Sequence, residues 1–287
     1  MNIIKAHNLA CPIDGKPIVQ TDKQFVCENG HTYDIARQGY VNLLPVHFKR
    51  SRQPGDSKAM INARTQFLET DIYQPIADKL NEIVAGQIIN DKDVCILDAG
   101  CGEGFYFESL MKFLSDHSNS NNISLIGLDI SKDAIVHASK RTKQISWIVG
   151  TNRQPPILDQ SVDIIICMFG FISWKGFNKT LKPDGIIILL DPGDEHLKQL
   201  REIIYPVVDK QDTGDSKRIE IEGYTLLHSE KILFNEKISS NEQVNHLLIM
   251  TPHFYRASKT GRDAACQLSE LDITVDVNIN ILQKQSS

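Results

Sequence analysis

Apolar positions along the chain shift from helical spacing to unbroken runs and finally to strict alternation, and each pattern predicts a different element. From about residue 67, Tyr73, Ile76, Ala77, Leu80, Ile83 and Val84 recur at three- and four-residue intervals, as one buried face of a helix requires. Short apolar runs then alternate with helical patterns. Residues 94–97, 123–128, 145–149, 162–167 and 186–190 read as five buried strands, the last after the turn Lys182-Pro183-Asp184-Gly185. Between them Phe105, Leu110, Met111 and Leu114 suit a helix, and Ser131 caps another that runs to about Arg141. Continuous apolar strands separated by helices predict a mostly parallel α/β sheet covered on both faces. Near the end, Ile273, Val275, Val277, Ile279 and Ile281 alternate with Thr274, Asp276, Asn278 and Asn280. That period of two predicts a half-exposed antiparallel strand on the C-terminal side of the sheet.

The front of the chain follows neither pattern. Residues 1–48 are rich in turn formers, with apolar runs no longer than Tyr40-Val41-Asn42-Leu43-Leu44, and a block that small needs a staple. Residues 49–66 read as a basic linker carrying Lys49, Arg50, Arg52, Lys58 and Arg64 around Pro54-Gly55. The expected organisation is therefore a small module at 1–48, the linker, and an α/β domain at 67–287.

The 287 residues are 41% hydrophobic and 23% charged, which excludes collagen-like and wholly disordered chains. No run approaches the roughly 18 apolar residues of a membrane span, and the N-terminus lacks the apolar core of a signal peptide, so a soluble cytoplasmic protein is expected. Charge is unevenly placed. Residues 1–64 hold 9 Lys and Arg against 5 Asp and Glu, whereas the rest hold 22 against 31. A basic front end on an acidic body points to a polyanion partner for the front end alone. The six cysteines do not form a secretory disulfide pattern; Cys95 and Cys167 fall in strand-like runs as buried free thiols, and Cys11 and Cys27 lie in a polar segment near His31.

The most informative stretch is Leu97-Asp98-Ala99-Gly100-Cys101-Gly102-Glu103-Gly104, a glycine loop between the first strand and a helix. Asp129 ends the next strand, placed to accept hydrogen bonds from two ribose hydroxyls. The glycine spacing departs from the dinucleotide fingerprint, and Asp98 and Glu103 would repel a pyrophosphate. Acids in such a loop favour a cationic cofactor without phosphates, S-adenosylmethionine, over NAD.

Asp98 to Gly104 and Gly127-Leu128-Asp129-Ile130-Ser131 resemble the first two motifs of Rossmann-like class I methyltransferases. Gly39-Tyr40-Val41-Asn42-Leu43-Leu44-Pro45-Val46, Lys49-Arg50-Ser51-Arg52-Gln53-Pro54-Gly55-Asp56-Ser57 and Met250-Thr251-Pro252 narrow the resemblance to the 23S rRNA (guanine-N1-)-methyltransferases, across nearly the whole chain. The resemblance implies methylation of N1 of a guanine in hairpin 35 of 23S rRNA, an N-terminal zinc module and a homodimer. It also implies cofactor contacts at Tyr73, Gly102, Glu103 and His196, beside Asp98 and Gly100 of the loop and Asp129 at the end of the next strand.

Cys11-x2-Asp14 and Cys27-x3-His31 have the spacing of a zinc ribbon, with Asp14 where that family has its second cysteine. Zn2+ accepts a carboxylate oxygen, so a Cys2AspHis set is chemically sound; His7 is a spare ligand, and the competing reading is a metal-free module folded by docking onto the main domain. Lys49, Arg50 and Arg52 are the candidate phosphate contacts. Methylation at guanine N1 requires an unpaired or flipped base and loss of the N1 proton. Thr151, Asn152 and Asp159 are candidates for that step, and Phe169 and Phe171, in place of the family's aromatic-Ala-Pro run, are candidates to stack on the base, the alternative being that both belong to the core. Two other readings stand beside this one: a small-molecule methyltransferase with the front block as a lid, and a non-catalytic RNA-binding relative.

Overall fold

The computed structural model describes residues 1–48, 54–89, 92–116, 122–205 and 221–285. Lys49, Arg50 and Arg52 lie outside the described residues. Strand β1 (Asn2–Ile4) is followed by β2 (Ile18–Gln20), β3 (Gln24–Cys27), β4 (Thr32–Asp34) and β5 (Val41–Asn42). Helices α1 (Lys58–Leu68) and α2 (Gln74–Gln87) lead into the alternating body: β6 (Val94–Ala99), α3 (Phe105–Asp116), β7 (Asn122–Asp129), α4 (Lys132–Arg141), β8 (Ser146–Val149), β9 (Val162–Met168), α5 (Trp174–Thr180), β10 (Leu181–Pro192) and α6 (Lys198–Ile204). The chain continues with β11 (Tyr224–Ile238), α7 (Asn241–Met250), α8 (Pro252–Arg256), α9 (Lys259–Cys266) and β12 (Leu271–Lys284).

Among the described residues one large sheet has the order β11-β12-β10-β9-β6-β7-β8-β5, with β1 also paired to β7. Strands β6 to β10 are mutually parallel, and β12 runs antiparallel to both β10 and β11. This is the Rossmann-like, mostly parallel sheet with an antiparallel C-terminal strand that the alternation predicts. Every residue of β6 is buried, and alternate residues serve opposite layers. Val94 and Ile96 join Ile76, Leu80, Phe107, Leu110 and Ile135 on one face. Cys95, Leu97 and Ala99 join Leu128, Ile165 and Phe177 on the other.

That second face also receives the N-terminal block. Leu9, Ile18, Val41 and Leu43 belong to the same buried cluster. Ala10 donates its N–H to the Pro156 carbonyl (2.9 Å), and Leu158 donates to Asn8 (2.9 Å). Strands β1 and β5 extend the main sheet in parallel with β7 and β8. The block's missing core is thus supplied by the sheet. Strands β2-β3-β4 form a separate antiparallel ribbon.

Three expectations are corrected. The helix expected from about 67 is two helices, and α1 begins at Lys58, inside the expected linker. Ser57 caps it by accepting the Met60 N–H, while Ile61, Ala63, Phe67 and Leu68 are buried. The basic residues masked that apolar spacing. Strand β11 had no alternation strong enough to announce it, because most of its side chains are exposed at the sheet edge. Finally, β12 is not half-exposed: Asp276 and Asn280 are buried along with the apolar set, and over Asp276 the second face is closed by the loop carrying Gly193 and Glu195. Ser131 caps α4 as expected, accepting the Ala134 N–H. Among the described residues no helix is long and apolar enough to cross a membrane.

Candidate active site and metal cluster

The C-terminal ends of the parallel strands bring the candidate residues together, as is usual for ligand sites in open α/β sheets. Asp98 is the penultimate residue of β6 and Asp129 the last of β7. The Asp129 carboxylate accepts the Gly102 N–H (3.0 Å) on one oxygen and the Ser131 N–H (2.7 Å) on the other. Those two bonds fasten the glycine loop to the turn after β7. Gly102 has φ +56, and a Cβ there would lie 3.5 Å from Nη1 of Arg64, so the loop passes directly beneath this guanidinium. A second close approach shapes the floor: a Cβ on Gly127 would stand 2.3 Å from the Trp147 ring, so only hydrogen fits.

The site gathers carboxyl groups out of water. Asp98 is buried, and one of its oxygens has no hydrogen-bond partner. Burial, then the neighbouring Asp129, pushes its carboxyl up to about 8. Glu103 is also buried, but it is committed. Its carboxylate accepts from Arg141 Nε (2.7 Å) and pairs with Nη2 (2.6 Å). Arg141 also pairs with Glu69 (2.8 Å) and Glu108 (3.2 Å). The sequence reading missed Arg141, a residue on α4 whose spacing carried no motif.

Across the loop stand Tyr73, His196 and Phe169. Tyr73 is buried edge-on against Phe67, with its hydroxyl 3.5 Å from His196 Nε2. The Asp276 N–H donates to His196 Nδ1 (3.2 Å), and burial lowers the imidazole to about 4, so the ring is neutral. With Nδ1 accepting, the proton resides on Nε2 and points toward Tyr73, which leaves the phenolic hydrogen available to a ligand. The Asp276 carboxylate holds this loop from behind. It accepts the Glu195 N–H (2.9 Å) and pairs with Lys231 (3.0 Å), and a Cβ on Gly193 would collide with it at 2.2 Å. Asp276 was missed because its place in an alternating strand read as solvent-facing.

Phe169 has φ +49 and stacks on His196 with ring centroids 6.1 Å apart. Its side chain is 41% exposed and that of Phe171 55%, with Arg153 over the Phe171 ring at 4.7 Å. Neither phenylalanine is core. Asn152 is present in the site wall, but its amide is spent on the carbonyls of Ala99 (3.1 Å) and Phe171 (2.9 Å). Asp159 precedes β9 and pairs with Lys179 (3.4 Å), at the end of the sheet opposite Asp98. Arg64, read from sequence with the basic linker, is turned inward: it pairs with Asp56 (2.6 Å) and donates to the Met250 carbonyl (3.3 Å).

In the ribbon, Cys11, Asp14, Cys27 and His31 place their ligand atoms within 4.8 Å of one another, and His7 stands outside the cluster. Each pair of ligands flanks a tight turn: Gly15 donates to Cys11 (2.8 Å), Gly30 to Cys27 (2.9 Å) and Cys27 to His31 (2.8 Å). The separations are 3.4 Å for Cys11 Sγ to His31 Nδ1, 3.3 Å for Cys27 Sγ to Asp14 Oδ2 and 3.2 Å for His31 Nδ1 to Asp14 Oδ2. Tetrahedral zinc with ordinary bond lengths sets such separations at about 3.3–3.8 Å, so the donor set fits one ion. The amide of Asn29, then the Lys16 N–H, hold the Asp14 carboxyl well below the usual range, so its oxygen is available as an anionic ligand.

The raised Asp98 carboxyl has a measurable consequence. Between its ordinary 3.8 and about 8, the folded protein keeps a proton that the unfolded chain releases. Stability therefore falls as pH rises through that window, by at most about 1.4 kcal/mol per pH unit, and is lowest above it. Asp98→Asn removes this dependence. Thermal melts without cofactor should show the variant gaining on the wild type from pH 5 to pH 8 and levelling off beyond; parallel curves would contradict the assignment.

Comparison with known proteins adds to this geometry. Residues 9–52 match the family model described as "RlmA, N-terminal", and residues 96–202 match the "Methyltransferase domain". The Bacillus subtilis (strain 168) protein named "Putative 23S rRNA (guanine-N(1)-)-methyltransferase YxjB" is 30% identical over 278 residues, 96% of each chain. The 23S rRNA (guanine(748)-N(1))-methyltransferase of Streptomyces fradiae is 28% identical over 193 residues, 67% of this chain and 66% of that one. Among solved structures, the YcgJ protein of Bacillus subtilis has a TM-score of 0.42 at 17% identity, covering 72% of this chain and 98% of its own. With the ribbon, the glycine loop and this likeness along its whole length in agreement, the chain belongs to the family of 23S rRNA (guanine-N1-)-methyltransferases.

Proposed function

We propose that this protein transfers a methyl group from S-adenosylmethionine to N1 of a guanine in hairpin 35 of 23S rRNA, releasing S-adenosylhomocysteine as the sulfur–methyl bond breaks and the N1 proton to solvent. The observation that carries the reading is the buried acidic loop at the C-terminal edge of the sheet. Asp98, with an unpaired oxygen, and Asp129, fixed by two backbone amides, suit a cationic ligand with a ribose and disfavour phosphates. When bound, S-adenosylmethionine supplies an electrophilic methyl group. Asp129 accepts the ribose hydroxyls, Gly100 and Gly102 let the loop approach the ligand, and the Tyr73 hydroxyl, oriented by neutral His196, donates to it. Glu103 supports the loop through Arg141. The exposed rings of Phe169 and Phe171 offer stacking faces to an unpaired guanine beside that loop, in a position to hold its Watson–Crick edge toward the donor.

The partner is 23S rRNA. Lys49, Arg50 and Arg52 supply phosphate contacts, as their basic side chains suit an RNA backbone. A zinc ion held by Cys11, Asp14, Cys27 and His31 pins the two turns of the ribbon. The protein acts in the cytoplasm, as a homodimer.

N1-methylguanine blocks reverse transcription. Primer extension on large-subunit rRNA should therefore stop at one guanine of hairpin 35 in cells with the protein and read through in a deletion strain; an unchanged pattern would contradict the function. Neutralising Lys49, Arg50 and Arg52 together should weaken RNA binding and lower its salt slope by roughly 0.7–0.9 per lost contact, with the rate recovered at saturating RNA. A salt series that matches the wild type would remove this stretch from the mechanism.

Elemental analysis should find one zinc per chain. Asp14→Ala should release it, and Asp14→Cys should hold it more tightly against a chelator, because thiolate suits zinc better. Folded protein with no stoichiometric metal would contradict the zinc site.

A further inference from the structure

S-adenosylmethionine is more than a cation: its amino-acid end carries a carboxylate as well as an ammonium group. The acids of the loop offer that carboxylate no donor and no opposite charge. Asp98, Glu103 and Asp129 are all buried or half-buried there. An acceptor of opposite charge is needed on the same side of the loop. Arg141 does not serve, because Glu103, Glu69 and Glu108 already surround its guanidinium.

Arg64 meets the requirement. It lies on α1, and its Nη1 passes 3.5 Å from the position a Cβ would take on Gly102. Its side chain is 26% exposed, so it is partly desolvated yet still open to the site. Nη2 is braced by Asp56 (2.6 Å) and the Met250 carbonyl (3.3 Å), which fixes the plane of the guanidinium and leaves the Nη1 edge toward the loop. The brace is itself anchored to the cofactor side. The Ser131 hydroxyl donates to the Asp56 carbonyl (3.3 Å), and Gly55 packs so closely on Ser131 that a Cβ would stand 2.8 Å from it. Ser131 is the residue whose N–H holds Asp129. Arg64, Asp56, Ser131 and Asp129 therefore form one connected frame around the glycine loop.

We propose that Arg64 is the cofactor's carboxylate anchor, receiving the amino-acid end of S-adenosylmethionine through its Nη1 edge over Gly102. This rests on the reading that the site takes S-adenosylmethionine, and it removes Arg64 from the set of RNA phosphate contacts to which its place beside the basic stretch would assign it. A planar fork that binds a carboxylate with two N–H groups while a second carboxylate holds its far side is chemistry that lysine cannot reproduce.

The test is calorimetry on the full-length protein with S-adenosylmethionine and its decarboxylated form, which differ only in the group Arg64 is proposed to hold. The wild type should prefer the carboxylated ligand by about ten- to a hundredfold, the range of a charge-assisted hydrogen bond. Arg64→Gln should bring the two ligands to equal affinity, a loss common to both reporting the frame and the loss of preference reporting the anchor. Arg64→Lys, which keeps the charge, should retain a reduced preference, and it serves as the variant if the glutamine form does not fold. A preference that survives either substitution undiminished, or a wild type that binds both ligands equally, would overturn the assignment. A wild type that binds neither ligand would instead overturn the S-adenosylmethionine reading on which it rests.

Discussion

The Asp129 carboxylate, with one oxygen on the Gly102 N–H and the other on the Ser131 N–H, is the joint on which the site depends. It ties the loop after β6 to the turn after β7, and so sets where a ligand can lie. A buried carboxylate is stable only if it is well hydrogen-bonded, and two backbone donors offset part of the desolvation that still holds the Asp129 carboxyl above its usual range. Asp98 has no such compensation, and its carboxyl is pushed up to about 8 as a result. A site holding one satisfied and one unsatisfied acid is prepared for a positively charged visitor.

The rest of the molecule keeps this joint in place. The parallel strands carry Asp98, Asp129, Phe169 and the His196 loop to one edge. The antiparallel strand β12 brings Asp276 beneath that loop, where it accepts the Glu195 N–H and donates its own N–H to His196. On the far face the N-terminal block does the work that helices do in other doubly covered sheets, burying Leu9, Ile18, Val41 and Leu43 against the strands. Ribbon and catalytic edge are thus parts of one packed body, which explains why a block too small for its own core can hold a defined shape.

Much of this was legible because it follows local rules. Unbroken apolar runs, a capping serine at 131 and a glycine loop bounded by acids are short-range signals, and all appear where the sequence places them. The joint itself was legible only as residue types: nothing in the string says that Asp129 meets Gly102. What stayed hidden depends on contacts between distant segments. Arg64 reads as linker charge until α1 folds it over the loop. Arg141 gains meaning from three glutamates on other elements. Asp276 looks solvent-facing because alternation reports one buried face, whereas the loop carrying Gly193 and Glu195 closes over the other. Asp159 was drawn to the site by its place in the chain, and the direction of β9 carries it to the opposite end.

An edge of buried acids that suits a cationic adenosyl ligand should turn away a pyrophosphate. Calorimetric titration of the purified protein with S-adenosylmethionine and, separately, with NAD tests it most directly. S-adenosylmethionine should bind and NAD should not, and the affinity should fall by about ten- to a hundredfold in Asp129→Ala, where the ribose hydroxyls lose their acceptor. NAD binding as tight as that of S-adenosylmethionine, or an Asp129→Ala variant that binds like the wild type, would contradict it.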